Sequence, residues 1–334
     1  MNSTVLTTSS KRRTLSSIKH NNNKLTRGSF KTHLKLIIAM MFWGITFALG
    51  RSLTQNHHPF VISFYRFTLA SIILLPAMVL RRNKLPNLTI KNLSKVFLLG
   101  LTGIFSYNFL LFTALTEVEA GRASVIIAIN PTVTAILAPL FLKERGSIKK
   151  FLGVILAFSG AAIAITRGHF NLLLEGNFGG GEVLLFLAVI SWVSYTIIGK
   201  ITLKDFDPYQ STTLACVVGS ILLFPFALQY SPSSFFDHGS LEDILSLIFM
   251  GAFSTGLGFI WYYDGIQKLG AAKAATFINF VPVFGIASGC FILKEPLNKS
   301  LIWGASLVIM GVLMVTLKTK KGAPKEPPKK FVEI

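Results

Sequence analysis

Polar side chains lie inside long apolar stretches of this sequence, where hydrocarbon or protein must surround them. Arg66 is a permanent cation in such a stretch, and Asn108, Asn130 and Asn279 are amides that both donate and accept hydrogen bonds. Arg66 therefore either binds an anionic group of a ligand or caps carbonyl groups. Each amide either binds a ligand or links one helix to the next.

Aromatic residues recur in the same apolar stretches. Trp43 and Trp192 lie about ten residues inside their blocks, too deep for the aromatic belt that marks a membrane interface. An indole N–H in hydrocarbon needs a partner, so both positions favour a cavity wall over plain packing. The aromatic candidates for a ligand site are Trp43, Phe47, Tyr107, Trp192, Tyr195, Trp261 and Tyr262.

The sequence lacks the residue patterns of enzymes. It has no His-Glu-x-x-His, no phosphate-binding Gly-rich loop before a helix, and no nucleophile beside a base. The adjacent His57 and His58 favour solvated loop imidazoles over a metal site. Cys216 and Cys290 lie in apolar stretches without further ligands. We predict no enzyme activity, no metal site and no cofactor.

The composition places these residues in a membrane. Apolar residues make up 51% of the chain and charged residues only 14%, and the apolar residues form blocks of about 18 to 23, the length that crosses hydrocarbon as a helix. Several blocks are apolar on every face, which excludes a membrane β-barrel. The pattern predicts an all-α integral membrane protein. The ten predicted spans are 34–53, 59–80, 95–115, 120–142, 149–166, 182–202, 208–229, 243–265, 272–293 and 299–317.

The distribution of basic residues predicts the orientation. The net charge is +19, but the charge lies in the tails and in alternate loops, which argues against a nucleic-acid partner. Of 33 Lys and Arg residues, 27 fall on one side of the membrane, five on the other, and Arg66 within a span. Basic residues resist translocation, so both termini are predicted to be cytoplasmic in a plasma or bacterial inner membrane, with anionic lipid as a partner.

The sequence also repeats itself. A shift of 151 positions pairs seven residues of 120–166 with identical residues, namely Ala120, Ala123, Pro131, Lys143, Glu144, Gly153 and Gly160 with Ala271, Ala274, Pro282, Lys294, Glu295, Gly304 and Gly311. A shift of 149 pairs Ala39, Trp43, Gly50, Pro59 and Pro76 with Ala188, Trp192, Gly199, Pro208 and Pro225. Because five spans is an odd number, the second half must enter the membrane in the opposite sense. Two inverted five-helix repeats can alternate access to a central site.

These duplicated motifs resemble the drug/metabolite transporter superfamily, EamA branch. The matching residues are Trp43-Gly44, Arg66-Phe67, Asn130-Pro131 and Lys143-Glu144, then Trp192, Val281-Pro282 and Lys294-Glu295. The second half departs from the first by having Ala215 at the place of Arg66 and Val281 at the place of Asn130. Helices 1, 3, 6 and 8 surround the central cavity in that family, and they carry most of the aromatic candidates. We expect the Lys-Glu pairs to cap helices and not to act in transport.

The resemblance implies a secondary transporter that exports amino acids or related small metabolites. The alternative is a membrane sensor or assembly factor that transports nothing. The predicted organisation is a basic cytoplasmic tail (1–33), a first repeat (34–166), an outer loop (167–181), a second repeat (182–317) and a basic, disordered cytoplasmic tail (318–334). The partners are a small-molecule substrate and lipid. Gly285-x-x-x-Gly289 favours packing within the bundle, with a homodimer as the minority alternative.

Overall fold

The computed structural model describes residues 6–80, 89–142, 148–166, 179–269 and 277–316. All secondary structure in these residues is helical. The α-helices are α1 (Leu6–Leu53), α2 (Pro59–Leu80), α3 (Ile90–Leu99), α4 (Tyr107–Glu117), α5 (Ala120–Ile127), α6 (Asn130–Leu142), α7 (Ile148–Thr166), α8 (Gly180–Thr202), α9 (Pro208–Leu228), α10 (Ser234–His238), α11 (Leu241–Ile248), α12 (Gly258–Leu269), α13 (Val281–Ile292) and α14 (Lys299–Thr316). Two π-helical segments, Gly100–Ser106 and Phe249–Leu257, join α3 to α4 and α11 to α12.

Six helical stretches are long and apolar enough to cross a membrane. They are Phe30–Leu53, Pro59–Leu80, Ile90–Glu117, Gly180–Thr202, Pro208–Leu228 and Leu241–Gly265. Three shorter apolar helices, Phe151–Thr166, Phe277–Ile292 and Lys299–Met314, lie where further spans were predicted. The predicted span 120–142 is two helices, α5 and α6, separated by a turn at residues 128–129. The prediction of one continuous helix there was wrong.

Large apolar side chains cover the outside of this bundle. Phe291 is 80% exposed, Trp303 67% and Ile72 63%, although they stand on helices whose other faces are buried. A soluble monomer rarely exposes so much apolar surface, whereas hydrocarbon solvates it without cost. The chain is therefore a multi-pass membrane protein.

The helices α7 and α14 pack closely through glycines. A Cβ atom on Gly160 would lie 2.6 Å from the carbonyl oxygen of Gly304, and one on Gly304 would lie 2.7 Å from that of Gly160. A Cβ atom on Gly311 would lie 2.5 Å from the carbonyl oxygen of Gly153. In the sequence repeat Gly153 is equivalent to Gly304 and Gly160 to Gly311. The contact of Gly160 with Gly304 and the contact of Gly311 with Gly153 are therefore the same contact seen from the two repeats. A two-fold axis produces this reciprocal pattern.

Two further contacts join a residue to its own repeat equivalent. The rings of Trp43 and Trp192 meet edge to face with centroids 6.1 Å apart. The hydroxyls of Ser71 and Ser220 lie 3.5 Å apart. Both pairs are related by the shift of 149 positions, so they lie where the two halves of the bundle face each other.

Candidate functional site

A cavity lies between the two halves of the bundle, next to Trp43 and Trp192. Its wall combines aromatic, aliphatic and polar side chains with one charge. The lining residues are Trp43, Thr46, Phe47, Arg66, Phe67, Tyr107, Asn108, Leu111, Ile127, Asn130, Trp192, Phe259, Ile278 and Val281. The cavity volume is about 60 Å³. One water needs roughly 10–15 Å³ on this scale, so the cavity holds a few waters and must widen to admit a metabolite.

The two π-helical segments supply polar groups to this region. A π-helical turn shifts the backbone register, and such turns occur often at functional sites. In the first segment the carbonyl oxygens of Gly103 and Ile104 both accept hydrogen bonds from Asn108 Nδ2, each at 3.1 Å. In the second, Thr255 Oγ1 accepts a hydrogen bond from Arg66. Gly100 and Gly251 are related by the shift of 151 positions, so the halves carry their π-helical segments at equivalent places.

Arg66 is 5% exposed and is held by neutral groups. Its Nε donates to Thr255 Oγ1 at 3.0 Å and its Nη1 donates to Asn108 Oδ1 at 3.2 Å. The guanidinium carbon lies 5.2 Å from the ring centroid of Phe67 and 5.8 Å from that of Phe112. None of the described residues gives it a carboxylate, and Nη2 makes no hydrogen bond to any of them. A permanent charge therefore borders the cavity without a counter-ion from this part of the chain.

Trp43 is fixed by a long-range hydrogen bond. Its Nε1 donates to the carbonyl oxygen of Ser254 at 2.9 Å, so the π-helical segment of the second half holds an indole of the first. Gly258 makes room for this ring, because a Cβ atom there would lie 2.9 Å from Trp43 Nε1. Trp192 continues the aromatic wall and lies 4.7 Å from Tyr107 between ring centroids.

A helix break before Asn130 and a short 3₁₀ helix that contains Asn279 (Phe277–Phe280) lie beside the cavity. Pro131 is the second residue of α6 and Pro282 the second of α13, and a proline cannot donate the hydrogen bond that would continue the preceding helix. Asn130 is 4% exposed and Asn279 5% exposed. Asn130 Oδ1 and both amide atoms of Asn279 have no hydrogen-bond partner among the described residues. Buried amides of this kind are costly, so both are available to a ligand or a bound water.

Equivalent positions of the two repeats line the cavity in pairs. The pairs are Trp43 with Trp192, Asn108 with Phe259, Ile127 with Ile278, and Asn130 with Val281. In two of these pairs the first half contributes an amide and the second an apolar side chain. The repeat therefore builds the shape of the cavity, while its polarity comes from the first half.

Seven of the predicted site residues line this cavity: Trp43, Phe47, Arg66, Tyr107, Asn108, Asn130 and Trp192. The other four do not line it. Tyr195 is buried, with its hydroxyl 3.2 Å from that of Tyr263. Trp261 stacks on Phe42 with centroids 5.9 Å apart. Tyr262 packs 5.2 Å from Trp43, and Asn279 is flanked by lining residues 278 and 281.

Sequence analysis missed Thr255, which is the partner of Arg66, and the apolar lining residues of the second half. Phe259 and Ile278 could have been found by extending the shift of 151 positions back from residue 120 to Gly100, because they are the equivalents of Asn108 and Ile127. No sequence signal marked Thr255, since its role depends on the register of the π-helical segment.

Ion pairs join the two halves at the end of the bundle that contains Glu295, called the Glu295 end below. Arg51 Nε lies 3.4 Å from Glu295 Oε1, and Arg122 Nη1 donates to Glu182 Oε1 at 2.9 Å. Glu295 also accepts hydrogen bonds from the backbone N–H groups that begin α5, at 2.7 and 3.1 Å. This geometry is the capping that the sequence predicted, here by Glu295 of Lys294-Glu295. Lys143-Glu144 lies outside the described residues.

The loop histidines also belong to the Glu295 end. His57 is 8% exposed, and its Nε2 lies 3.2 Å from Asp243 Oδ2. His58 stacks on Tyr230 with centroids 3.4 Å apart, and burial lowers the pKa of its imidazole. The prediction of a solvated imidazole was therefore wrong for His57, whereas His58 is only partly buried. The second half supplies both partners, through its own loop and helix α11.

Described ion pairs at the opposite end are more exposed. Lys95 donates to Asp205, whose side chain is 40% exposed, and this hydrogen bond lowers the pKa of the Asp205 carboxyl. Lys35 Nζ lies 3.9 Å from Asp264 Oδ2, with the Lys35 side chain 45% exposed. Glu295, by comparison, has a side chain only 11% exposed. Asp264 thus pairs with lysine near the chain surface, away from the cavity.

Both glycines of the Gly285-x-x-x-Gly289 motif lie in close contact with other residues of the same chain. A Cβ atom on Gly285 would lie 2.4 Å from Ser124 Cβ, and one on Gly289 would lie 2.4 Å from Glu295 Oε2. The close approach that glycine permits therefore serves packing inside the bundle and the placement of the Glu295 carboxylate.

The chain matches a known family of transporters and individual proteins that are named as transporters. The model of the EamA-like transporter family matches this chain twice, over residues 30–166 and 179–317. The uncharacterized transporter YyaM of Bacillus subtilis (strain 168) is 30% identical over 285 residues, covering 84% of this chain and 93% of that protein. An uncharacterized transporter of Archaeoglobus fulgidus is 31% identical over 288 residues, covering 86% and 99%.

A solved crystal structure has a similar fold. It aligns with a TM-score of 0.62 at 18% sequence identity and covers 86% of this chain and 97% of that one. At this level of identity the similarity concerns the fold alone.

Proposed function

Because this chain belongs to the EamA-like transporter family, it is a membrane transporter, and we propose that it is a secondary transporter with ten spans in two inverted five-helix repeats. The double match of the family model and the reciprocal glycine contacts of α7 and α14 support this architecture. Family membership favours transport over the alternative of a sensor or assembly factor.

The central cavity is the proposed substrate site. The observation that carries this assignment is the meeting of equivalent residues from both halves around one cavity, beside a charge and amide groups that no described residue pairs. Transporters of inverted repeats bind substrate at such an interface near the membrane midplane. The proposed binding residues are Trp43, Phe47, Arg66, Tyr107, Asn108, Asn130 and Trp192, with Tyr195, Trp261, Tyr262 and Asn279 around them.

Alternating access is the proposed mechanism. The partly buried ion pairs of the Glu295 end join the first half to the second, so we expect the cavity to open on that side only when they separate. Rocking of one half against the other would break these pairs and close the more exposed end. The glycine contact of α7 with α14 keeps the halves together during this motion.

Export of amino acids or related small metabolites is the proposed direction and substrate class, from the family to which the chain belongs. The basic residues favour a plasma or bacterial inner membrane with both termini in the cytoplasm. A comparison of extracellular metabolites between cells with and without the protein tests the proposal. Export predicts a small metabolite that accumulates outside only when the protein is present, and identical metabolite profiles would contradict it.

Topology can be tested with reporters fused at loop positions. We expect a fusion after residue 170 to report the outside and fusions after residues 85 and 320 to report the inside. The physical reason is the resistance of basic loops to translocation. A carboxyl-terminal fusion that reports the outside would contradict the ten-span architecture.

Labelling tests the cavity itself. Trp43→Cys and Trp192→Cys, each in a chain that also carries Cys216→Ala and Cys290→Ala, should both react with a small water-soluble thiol reagent and be protected by substrate. Ile72→Cys is the matched control on the lipid-facing surface, because Ile72 is 63% exposed on the outside of the bundle. Labelling of both tryptophan positions only by an apolar reagent would show that these rings merely pack.

A further inference from the structure

Arg66 has hydrogen-bond donors that no described residue accepts. The guanidinium carries five N–H groups, and the described residues accept only two of them, through Thr255 and Asn108. The side chain caps no described backbone carbonyl, and at 5% exposure it does not reach bulk water. The geometry thus leaves the remaining N–H groups beside the cavity that Arg66 lines.

The charge of Arg66 is not neutralised by its neighbours. A hydroxyl and an amide are dipoles, and the rings of Phe67 and Phe112 give only a partial cation–π stabilisation. The ion pairs of the described residues lie at the two ends of the bundle, away from the cavity. A buried charge is normally paired, because an unpaired charge in a low-dielectric interior is strongly destabilising. An anion in the cavity would supply the missing partner.

Other groups of the cavity wall fit the same ligand. Tyr107 and Trp192 line it, and neither the Tyr107 hydroxyl nor Trp192 Nε1 donates to a described residue. Both donors are therefore available to an anionic oxygen. Apart from Thr46, Asn108 and Asn130, the rest of the wall is apolar and largely aromatic, and none of the lining residues is acidic. The wall thus offers hydrogen-bond donors and a cation to a ligand, but no carboxylate that would bind an ammonium group.

We infer that the cavity binds an organic acid as a net anion, with the ligand carboxylate paired to Arg66 and an apolar, preferably aromatic, body against Trp43 and Trp192. This rests on the proposed transport function and narrows its substrate class. Amino acids in their zwitterionic form would bind more weakly, because their ammonium group would lose water without gaining a charged partner.

Four small molecules with one carbon skeleton test the inference on the full chain in detergent. They are 3-phenylpropionate (anion), phenylalanine (zwitterion), 3-phenylpropylamine (cation) and 3-phenylpropanol (neutral), each titrated against tryptophan fluorescence. We expect 3-phenylpropionate to bind at least about tenfold more tightly than each of the other three, since a hydrogen-bonded charge pair commonly changes affinity by tenfold to hundredfold. This ranking needs no variant.

Variants then assign the effect to one side chain. Arg66→Gln should weaken binding of 3-phenylpropionate about tenfold to hundredfold and leave 3-phenylpropanol unchanged, while Arg66→Lys should retain most of the affinity because it keeps the cation. Lys200→Gln is the matched control, because it removes one positive charge from an exposed site outside the cavity. It should change no affinity.

The outcomes separate this inference from the transport proposal. Tighter binding of phenylalanine or of 3-phenylpropylamine would overturn the anion assignment and leave transport standing, as would equal loss of all four ligands in Arg66→Gln. Binding of none of the four to the unaltered protein would also overturn the ligand class, while export would still be judged by the metabolite comparison. If Arg66→Gln fails to fold, the ranking and Arg66→Lys decide alone.

Discussion

The two walls of the cavity differ although they occupy equivalent positions. The first half contributes Arg66, Asn108 and Asn130, whereas the second half has Ala215, Phe259 and Val281 in their places. Away from the cavity the halves are alike, as the glycines of α7 and α14 show. The duplicated residues that build the bundle keep their size, and the residues around the cavity differ in polarity. We attribute this asymmetry to ligand binding, since the fold does not require it.

The two walls should differ most in the stability that is lost by substitution at the equivalent positions Asn108 and Phe259. Asn108→Leu removes the acceptor of Arg66 Nη1 and the donor to Gly103 and Ile104, and hydrogen bonds to charged groups contribute about 1.5–3 kcal/mol each. We expect the free energy of unfolding to fall by about 3 kcal/mol. Phe259→Leu, the matched change on the other wall, should cost about 1–2 kcal/mol, because it leaves only a small void.

Denaturant titration of the detergent-solubilised protein measures both changes at Asn108 and Phe259. Equal losses at the two positions would show that the polar wall has no special part in holding Arg66, and would break the comparison between the walls.

The glycines of α7 and α14, the last helices of the two repeats, should instead lose similar amounts of stability when they are replaced by alanine. Gly160→Ala and Gly311→Ala each place a Cβ atom within 2.6 Å of backbone in the facing helix. Overpacking of this kind costs about 1–3 kcal/mol, and equivalent positions should lose similar amounts. Gly180→Ala is the control, because its Cβ would lie 3.5 Å from Glu117 Oε2, an ordinary contact. A loss at only one of the two glycines would contradict a symmetric interface between α7 and α14.

The smallest effect is expected at Asn130, and its sign should be reversed. Asn130→Val removes a buried amide whose Oδ1 has no described partner, so the free energy of unfolding should rise by about 1 kcal/mol while transport falls. Val281→Asn, the mirror change, should lower stability because it buries a second amide. Thermal unfolding and transport per folded molecule are compared for both variants. Lower stability in Asn130→Val would mean that the amide holds structure instead of ligand.

Sequence alone could predict most of the helices, the repeat and half of the residues that line the cavity. Spans are set by apolar length, and depth in a span marks Trp43, Trp192 and Arg66 as unusual. Both properties can be counted directly from the sequence. The family match and the six long apolar helices agree with the predicted membrane transporter.

The parts that sequence could not predict depend on backbone register and on partners distant in the chain. The π-helical segments bring Thr255 to Arg66, 189 positions away, and no motif announces such a shift. Asn130-Pro131 signalled a break in hydrogen bonding but not that the span would divide into α5 and α6. His57 was predicted to be solvated because its partner Asp243 is 186 positions distant.

Arg66 also has an electrical consequence. If its fixed cation attracts an anionic ligand and stays in the bundle while the ligand crosses, each cycle moves one net negative charge through the membrane field. An inside-negative potential of 100 mV is then worth about 2.3 kcal/mol for an outward-moving anion, equivalent to roughly a fifty-fold concentration ratio. The voltage of the cell would drive export by itself, without a proton or sodium ion to accompany the substrate. Export against a concentration gradient would then stop when the potential is collapsed, even where the pH gradient is maintained.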